Sequence, residues 1–377
     1  MREIYLDNSA TTKPLKQVAD SMQETLLSSY GNPSSLHTRG FESEKLLKDS
    51  RRIIANSLGK KENTITFNSG GTEGDNNVLQ SVARDRRRAG KTIITTAVEH
   101  PAILETCKFL ESEGFNIVSI SVDEYCNPNL DELKSNLSDE VILISAMTVN
   151  NEVGTIFPIN EINEIKGNAL FHTDAVQAYG KMDLSGFQGD FLTASGHKIH
   201  GPKGIGFLYR KDGTRLSPLI FGGNQESGYR SGTENMPGIV GMAKAAEIML
   251  SNINENYDRV KSLWQRLKQG ILEIGDVVIN SPDDCLPYIL NASFLGTRGE
   301  VILHRLESEG IFVSTGSACS SNKNSRSHVL KAMGKNDKEI EGAIRFSLSA
   351  QNTAEEIDTV LSVLDNAVKK FRKLGSF

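Results

Sequence analysis

From Asn63 onward the chain alternates short apolar runs with longer segments of helical spacing. The runs at 63–68, 92–97, 115–121, 140–146, 169–173, 190–194 and 204–209 have the length and composition of buried strands. Between them, spacing predicts helices over 74–89 and from Pro101 to about Ser112, with shorter ones starting at Leu130 and Pro158. Such alternation is the signature of a mostly parallel sheet covered by helices on both faces. A short strand at 4–6 and helices over 15–29 and 37–58 precede it. From Pro237 the pattern changes. Long helical stretches reach about 274, strands follow at 276–280 and 288–294, and a helix over 299–309 leads to a strand at 311–313. A polar loop at 314–324 and a strand at 344–348 come next. In the last helix Ile357, Val360, Leu361, Leu364, Val368 and Phe371 share one face, and Thr353 with Glu356 predicts a capping box. The expected fold class is therefore α/β, with a large domain over 15–250 and a smaller α+β domain made of 1–14 and 251–377.

Composition narrows the function classes. The 377 residues carry a net charge of −5, which argues against nucleic acid as an obligatory partner. The longest apolar run, 141–147, fits a buried strand and not a membrane span. The first residues lack the apolar core of a signal peptide, so a cytoplasmic location with free thiols is expected. The four cysteines form no CxxC pair. Cys107 has helical core spacing, Cys126 and Cys285 lie in turn-like contexts, and Cys319 lies in the polar loop. The basic cluster Arg84-Asp85-Arg86-Arg87-Arg88 closes a helix, where positive charge suits the helix dipole and solvent.

The candidate chemistry centres on Ser195-Gly196-His197-Lys198-Ile199-His200-Gly201-Pro202-Lys203-Gly204. This tight turn between two strands presents a lysine that can be desolvated and aimed, as a Schiff-base carrier must be. Upstream, Phe171-His172-Thr173-Asp174-Ala175-Val176-Gln177 closes a strand. Asp174 is a candidate to hold a pyridine nitrogen protonated. Ser69-Gly70-Gly71-Thr72-Glu73, between a strand and a helix, has the make-up of an anion cradle. His172 and Asp174 alone would make a poor metal site, and no metal is expected.

Together these motifs resemble the cysteine desulfurases of the NifS/IscS type, class V of the fold-type-I pyridoxal phosphate enzymes. The resemblance runs through Tyr5 to Thr12, Gly31-Asn32-Pro33-Ser34-Ser35, Glu99-His100, Asn150-Asn151-Glu152-Val153-Gly154, Arg230-Ser231-Gly232-Thr233 and Ser317-Ala318-Cys319, besides the motifs above. It implies a large domain with a mostly parallel seven-stranded sheet that binds pyridoxal 5'-phosphate through Lys198. It also implies that His100 stacks on the ring and moves protons, and that Asn151 and Gln177 reach the ring hydroxyl. Gly71, Thr72, Ser195 and His197 would hold the phosphate. Thr233 would reach the phosphate of a neighbouring subunit, making the enzyme a homodimer. Asn32, Asn151 and Arg345 would bind the substrate, with Arg345 clamping its carboxylate.

Cys319 makes the implied activity specific. Its loop is small, polar and glycine-containing, so it cannot bury much and should move. Lys323 could favour the thiolate if it points inward. The resemblance implies that L-cysteine is converted to L-alanine while Cys319 takes the sulfur as a persulfide. An acceptor protein for iron–sulfur cluster assembly, or for tRNA or cofactor thiolation, would then receive it. A selenocysteine lyase, or another class V lyase or aminotransferase, is the alternative. A catalytically idle scaffold would be expected to lack Lys198, Asp174 or Cys319, and the chain has all three.

Overall fold

A computed structural model describes residues 3–315 and 326–373. Seven strands form the main sheet, in the spatial order Ile65–Asn68, Gly206–Arg210, Phe191–Ser195, Leu170–Asp174, Val141–Ser145, Thr92–Thr96, Asn116–Ile120. Gly206–Arg210 runs antiparallel to both its neighbours, and the other adjacent pairs are parallel. The central strands Val141–Ser145, Leu170–Asp174 and Phe191–Ser195 are buried at every residue. That is why none of them reads as an alternating strand: Val141–Ser145 is almost wholly apolar, and the other two open on apolar pairs.

Helices cover both faces. On one, Val78, Leu79, Val82 and Ala83 of helix Gly71–Arg86 share a core with Ile103, Cys107 and Leu110 of Pro101–Ser112. Elsewhere Lys16–Ser28 and Thr38–Ser57 pack on Met236–Ser251. Val277–Ile279, Ile289–Phe294 and Ala343–Ser347 make a separate antiparallel sheet. Beside it, the opening strand Ile4–Tyr5 pairs in parallel with Ile311–Phe312. The last helix, Ala354–Lys373, starts with the expected box: Thr353 N donates to Glu356 Oε2 at 3.2 Å, and Glu356 N to Thr353 Oγ1 at 3.3 Å.

Two sequence expectations shift. The helix after Asn68 begins at Gly71, not Gly74. Gly70 bends the chain at φ 143°, a conformation open to glycine, and Gly71 already lies in the first turn. Cys126 and Cys285 do sit in irregular segments, but both are buried in one core cluster, as Cys107 is in another.

Candidate active site

The functional side chains gather where strands run out into loops, the usual place for a ligand in such sheets. Asp174 and Ser195 are the last residues of their strands, and His197 and Lys198 belong to the short turn that follows Ser195. His100 caps helix Pro101–Ser112, its Nδ1 accepting the Ala102 N–H at 3.2 Å. Gly71 and Thr72 open helix Gly71–Arg86, whose first N–H groups have no partner within the helix. These residues, with Asn151, Gln177, Ser9, Ala10, Asp75, Met147, Val149 and Val176, line one cavity of about 240 Å³. A more open hollow of about 360 Å³ shares Ala10, Gly71, Thr72, Ser195 and His197 with it and adds Lys203.

Lys198 Nζ donates to the carbonyls of Ser9 and, at 2.9 Å, Ala10. The opening strand's polar turn thus sits directly on the lysine. Thr12 ties the same turn to the His197 carbonyl at 2.9 Å through its hydroxyl. Gln177 Nε2 donates to the Ser9 carbonyl at 3.0 Å.

Three comparisons bear on this arrangement. Residues 4–360 match the family model Aminotransferase class-V. The "Cysteine desulfurase IscS" of Methanosarcina thermophila is 43% identical over 379 residues, covering 99% of this chain and 94% of its own. The chain belongs to the aminotransferase class-V family, among its cysteine desulfurases. In three dimensions it is similar to a "NIFS-LIKE PROTEIN" at TM-score 0.93 and 38% identity, covering 98% of this chain and all of that one. SspA, solved in complex with cysteine, has TM-score 0.82 and 33% identity over 93% of this chain and all of its own.

Within this class-V frame the electrostatics divide the cavity. Burial raises the Asp174 carboxyl, opposed first by the charges of His100 and then by a hydrogen bond from Val176 N–H and the charge of Lys198. Burial lowers His100, and Lys198 and His328 push it the same way, while Asp174 pulls it up. His197 falls to about 4 through burial and the surrounding lysines, so it meets an anion as a neutral donor. A phosphorylated aromatic aldehyde fits this set. Helix N–H groups, Ser195 and His197 supply neutral donors, Lys198 supplies the amine, and Asp174 supplies a buried carboxylate. Two buried atoms on lining residues, Ser9 Oγ and Asp75 Oδ1, also find no hydrogen-bond partner among the described residues.

Three expected site residues lie elsewhere. Arg345 is wholly buried; it donates to the Asn151 carbonyl and to Asp7 Oδ1, both at 2.9 Å. It therefore stands behind Asn151 and not in the cavity wall. Asn32 is exposed, its Oδ1 accepting Ser34 N–H at 2.8 Å. Thr233 is exposed and does not line the cavity of its own chain. Cys319 and Lys323 lie outside the described residues. The described chain around them is moored at the site. Ser314 exchanges backbone hydrogen bonds with Arg345 at 3.1 and 2.7 Å, Ser327 Oγ donates to Glu152 Oε2 at 2.5 Å, and His328 Nε2 meets the Glu99 carbonyl at 3.0 Å.

Sequence reading missed Asp75 and the network beneath Asp174. His172 Nδ1 meets Ser145 Oγ at 2.9 Å, and its Nε2 meets Thr193 Oγ1 at 3.0 Å, with Asp75 Oδ1 at 3.6 Å. Burial drives His172 down to about 3, and hydroxyls engage both of its ring nitrogens, so it is a neutral, hydrogen-bonded structural imidazole. Burial also raises Asp75 well above the usual carboxylate range, and the charge of Asp174 adds to the rise. A carboxylate at the fifth residue of a helix opened by glycines was the available signal.

Proposed function

We propose that this enzyme takes the sulfur from L-cysteine, releases L-alanine, and leaves the sulfur as a persulfide on Cys319. The observation that carries this reading is the convergence of Lys198, Asp174 and His100 on one cavity floored by neutral anion donors. Lys198 is the amine that carries the aldehyde carbon of pyridoxal 5'-phosphate. Gly71, Thr72, Ser195 and His197 hold the phosphate, Asp174 pairs with the ring nitrogen, and His100 lies against the ring. When bound, the cofactor supplies an electron sink for the substrate's Cα. Lys198 and a neutral His100 move protons at that carbon. Asn151 and Asn32 bind the substrate, and Arg345 takes its carboxylate by exchanging Asp7 for it, a bidentate match for a guanidinium.

The cysteine inventory supports Cys319 as the sulfur acceptor. Burial pushes the thiols of Cys107 and Cys285 up to about 12, and raises Cys126 as well. A thiol held protonated is a poor nucleophile, so none of the three described cysteines suits the task. In the attack, the Cys319 thiolate bonds to the substrate sulfur, the Cα-side carbon keeps the electron pair of the broken C–S bond, and a proton converts it to alanine's methyl. A protein acceptor that builds iron–sulfur clusters or thiolates tRNA or cofactors then takes the sulfur. We place this work in the cytoplasm, in a homodimer whose large domain spans 15–250 and whose smaller one comprises 1–14 and 251–377. Leu26, Leu27, Tyr30, Leu36 and Phe41, within sixteen residues of sequence, are exposed large apolar side chains of the kind self-association covers.

The test is incubation with sulfur-labelled L-cysteine followed by peptide mapping. Label should appear on the peptide bearing Cys319 and be released by a thiol reductant. Label confined to free sulfide, with Cys319→Ser consuming L-cysteine at an undiminished rate and forming pyruvate and ammonia in place of alanine, would reduce the enzyme to an ordinary lyase.

A further inference from the structure

One buried cation near the cavity has no part in the chemistry above. Lys181 follows the turn that closes strand Leu170–Asp174, and its side chain is fully enclosed. Its Nζ lies 3.2 Å from Gln177 Oε1 and 5.7 Å from the centre of the Tyr288 ring. Among the described residues no carboxylate forms an ion pair with it. A buried lysine without a carboxylate costs stability, so its retention calls for another account.

The amide it touches supplies one. Gln177 lines the cavity, and one hydrogen of its Nε2 is engaged by the Ser9 carbonyl at 3.0 Å. An ammonium has three donors and no acceptor, whereas an amide has a donor end and an acceptor end. Only one orientation of the Gln177 amide satisfies Lys181. In it the oxygen faces the lysine, the nitrogen faces the cavity side, and a second N–H is left over.

We propose that Lys181 is a positioning residue, its ammonium fixing the Gln177 amide so that an N–H is presented to an anionic oxygen of the group held in the cavity. This rests on the pyridoxal phosphate reading, where that oxygen is the ring's phenolic one. The other titratable or charged groups in its electrostatic surroundings are Lys198, Arg345, His197 and His200, together with the Tyr288 phenol. Burial, with Lys198 and Arg345 adding to it, lowers Lys181 to about 7; an oxyanion bound through Gln177 favours the charged form that the lock needs.

A donor to the ring oxygen weakens that oxygen's hold on the neighbouring imine proton. The pH midpoint of the bound cofactor's visible band reports this without turnover. Lys181→Met should raise the midpoint by about half a unit to one unit, the size expected for one hydrogen bond. Lys181→Gln, which can still donate to Gln177, should stay near wild type and guards against a folding failure in the methionine variant. In a Gln177→Leu background, Lys181→Met should shift the midpoint no further. An equal shift in that background would make Lys181 a through-space charge and overturn the proposal. So would an unmoved midpoint in Lys181→Met, or a full shift in Lys181→Gln. A wild-type protein with no visible band would instead overturn the cofactor reading, and this inference with it.

Discussion

Asp174 shares its surroundings with two other buried carboxyls, Asp75 and Glu99; its charge makes ionisation of both harder, and that of Glu99 adds to the rise at Asp75. Asp174 is the one facing His100 and Lys198, so the negative charge settles there while its neighbours keep protons. Glu99 shows the consequence for stability. Burial raises it to about 8, although Oε1 accepts the Thr96 hydroxyl at 2.7 Å and the Met147 N–H at 3.0 Å. The folded state therefore binds a proton that the unfolded chain gives up above about 4.5. Its contribution is fully present below that pH and is lost as pH rises through about 8. Glu99→Gln mimics the protonated acid, so its melting temperature should gain on wild type at pH 8 relative to pH 5; an unchanged difference would show that Glu99 is ionised when folded. Cofactor attachment is decided at the same scale. Borohydride reduction followed by mapping should place the pyridoxyl group on Lys198, and finding it on Lys203, which lines the adjoining hollow, would move the site.

Helix Gly71–Arg86 shows why an element can be legible while its edge is not. Its apolar spacing announced a helix, and the strand runs announced the sheet, because both follow from which faces are buried. Its start was misplaced because glycines read as loop by local propensity, whereas tertiary packing decides here. A Cβ on Gly71 would lie 2.8 Å from Val176 Cγ2, and one on Gly74 would lie 2.6 Å from Thr193 Cγ2. The glycines let the helix approach the strands that carry Asp174 and Ser195. His100 was reached through the family resemblance, whereas Lys198 and Asp174 stood out in the same way, as polar residues where strands end. Asp75 and Lys181 did not, since their roles depend on partners far away in the fold or on burial that the sequence does not print. Arg345 was reached through the family resemblance, but its engagement with Asp7 was not legible. Gly74→Val should cost about 1–3 kcal/mol by overpacking. It should also weaken cofactor retention, because the helix start must retreat from the sheet. Equal retention on dialysis in variant and wild type would show that the phosphate donors do not depend on this approach.

At the scale of the whole molecule, the position of Thr233 decides whether one chain can make a working site. Thr233 is exposed and absent from its own cavity wall. Its loop is nonetheless held in place: Arg230 Nε donates to Glu73 Oε1 at 3.0 Å, and Arg51 grips Glu226 through two bonds of 2.6 and 2.7 Å. Backbone at Asn224, Glu226 and Ser227 adopts positive φ, a cost borne where a loop is held to a fixed shape. A loop so fixed, whose Thr233 is exposed and does not line its own cavity, fits a role in the site of a second copy. Mixing Thr233→Ala chains with Lys198→Ala chains tests this, each parent being much weakened alone. In the mixed dimer one cavity combines an intact Lys198 with the partner's intact threonine, and the other has no lysine. Random exchange makes half the dimers mixed, so activity should recover to about a quarter of wild type for isologous pairing. If Thr233 served its own chain, every site in the mixture would still lack one of the two residues. No recovery in a sample shown to contain mixed dimers would therefore return Thr233 to its own subunit, and a fully active monomer in sedimentation would remove the shared site altogether.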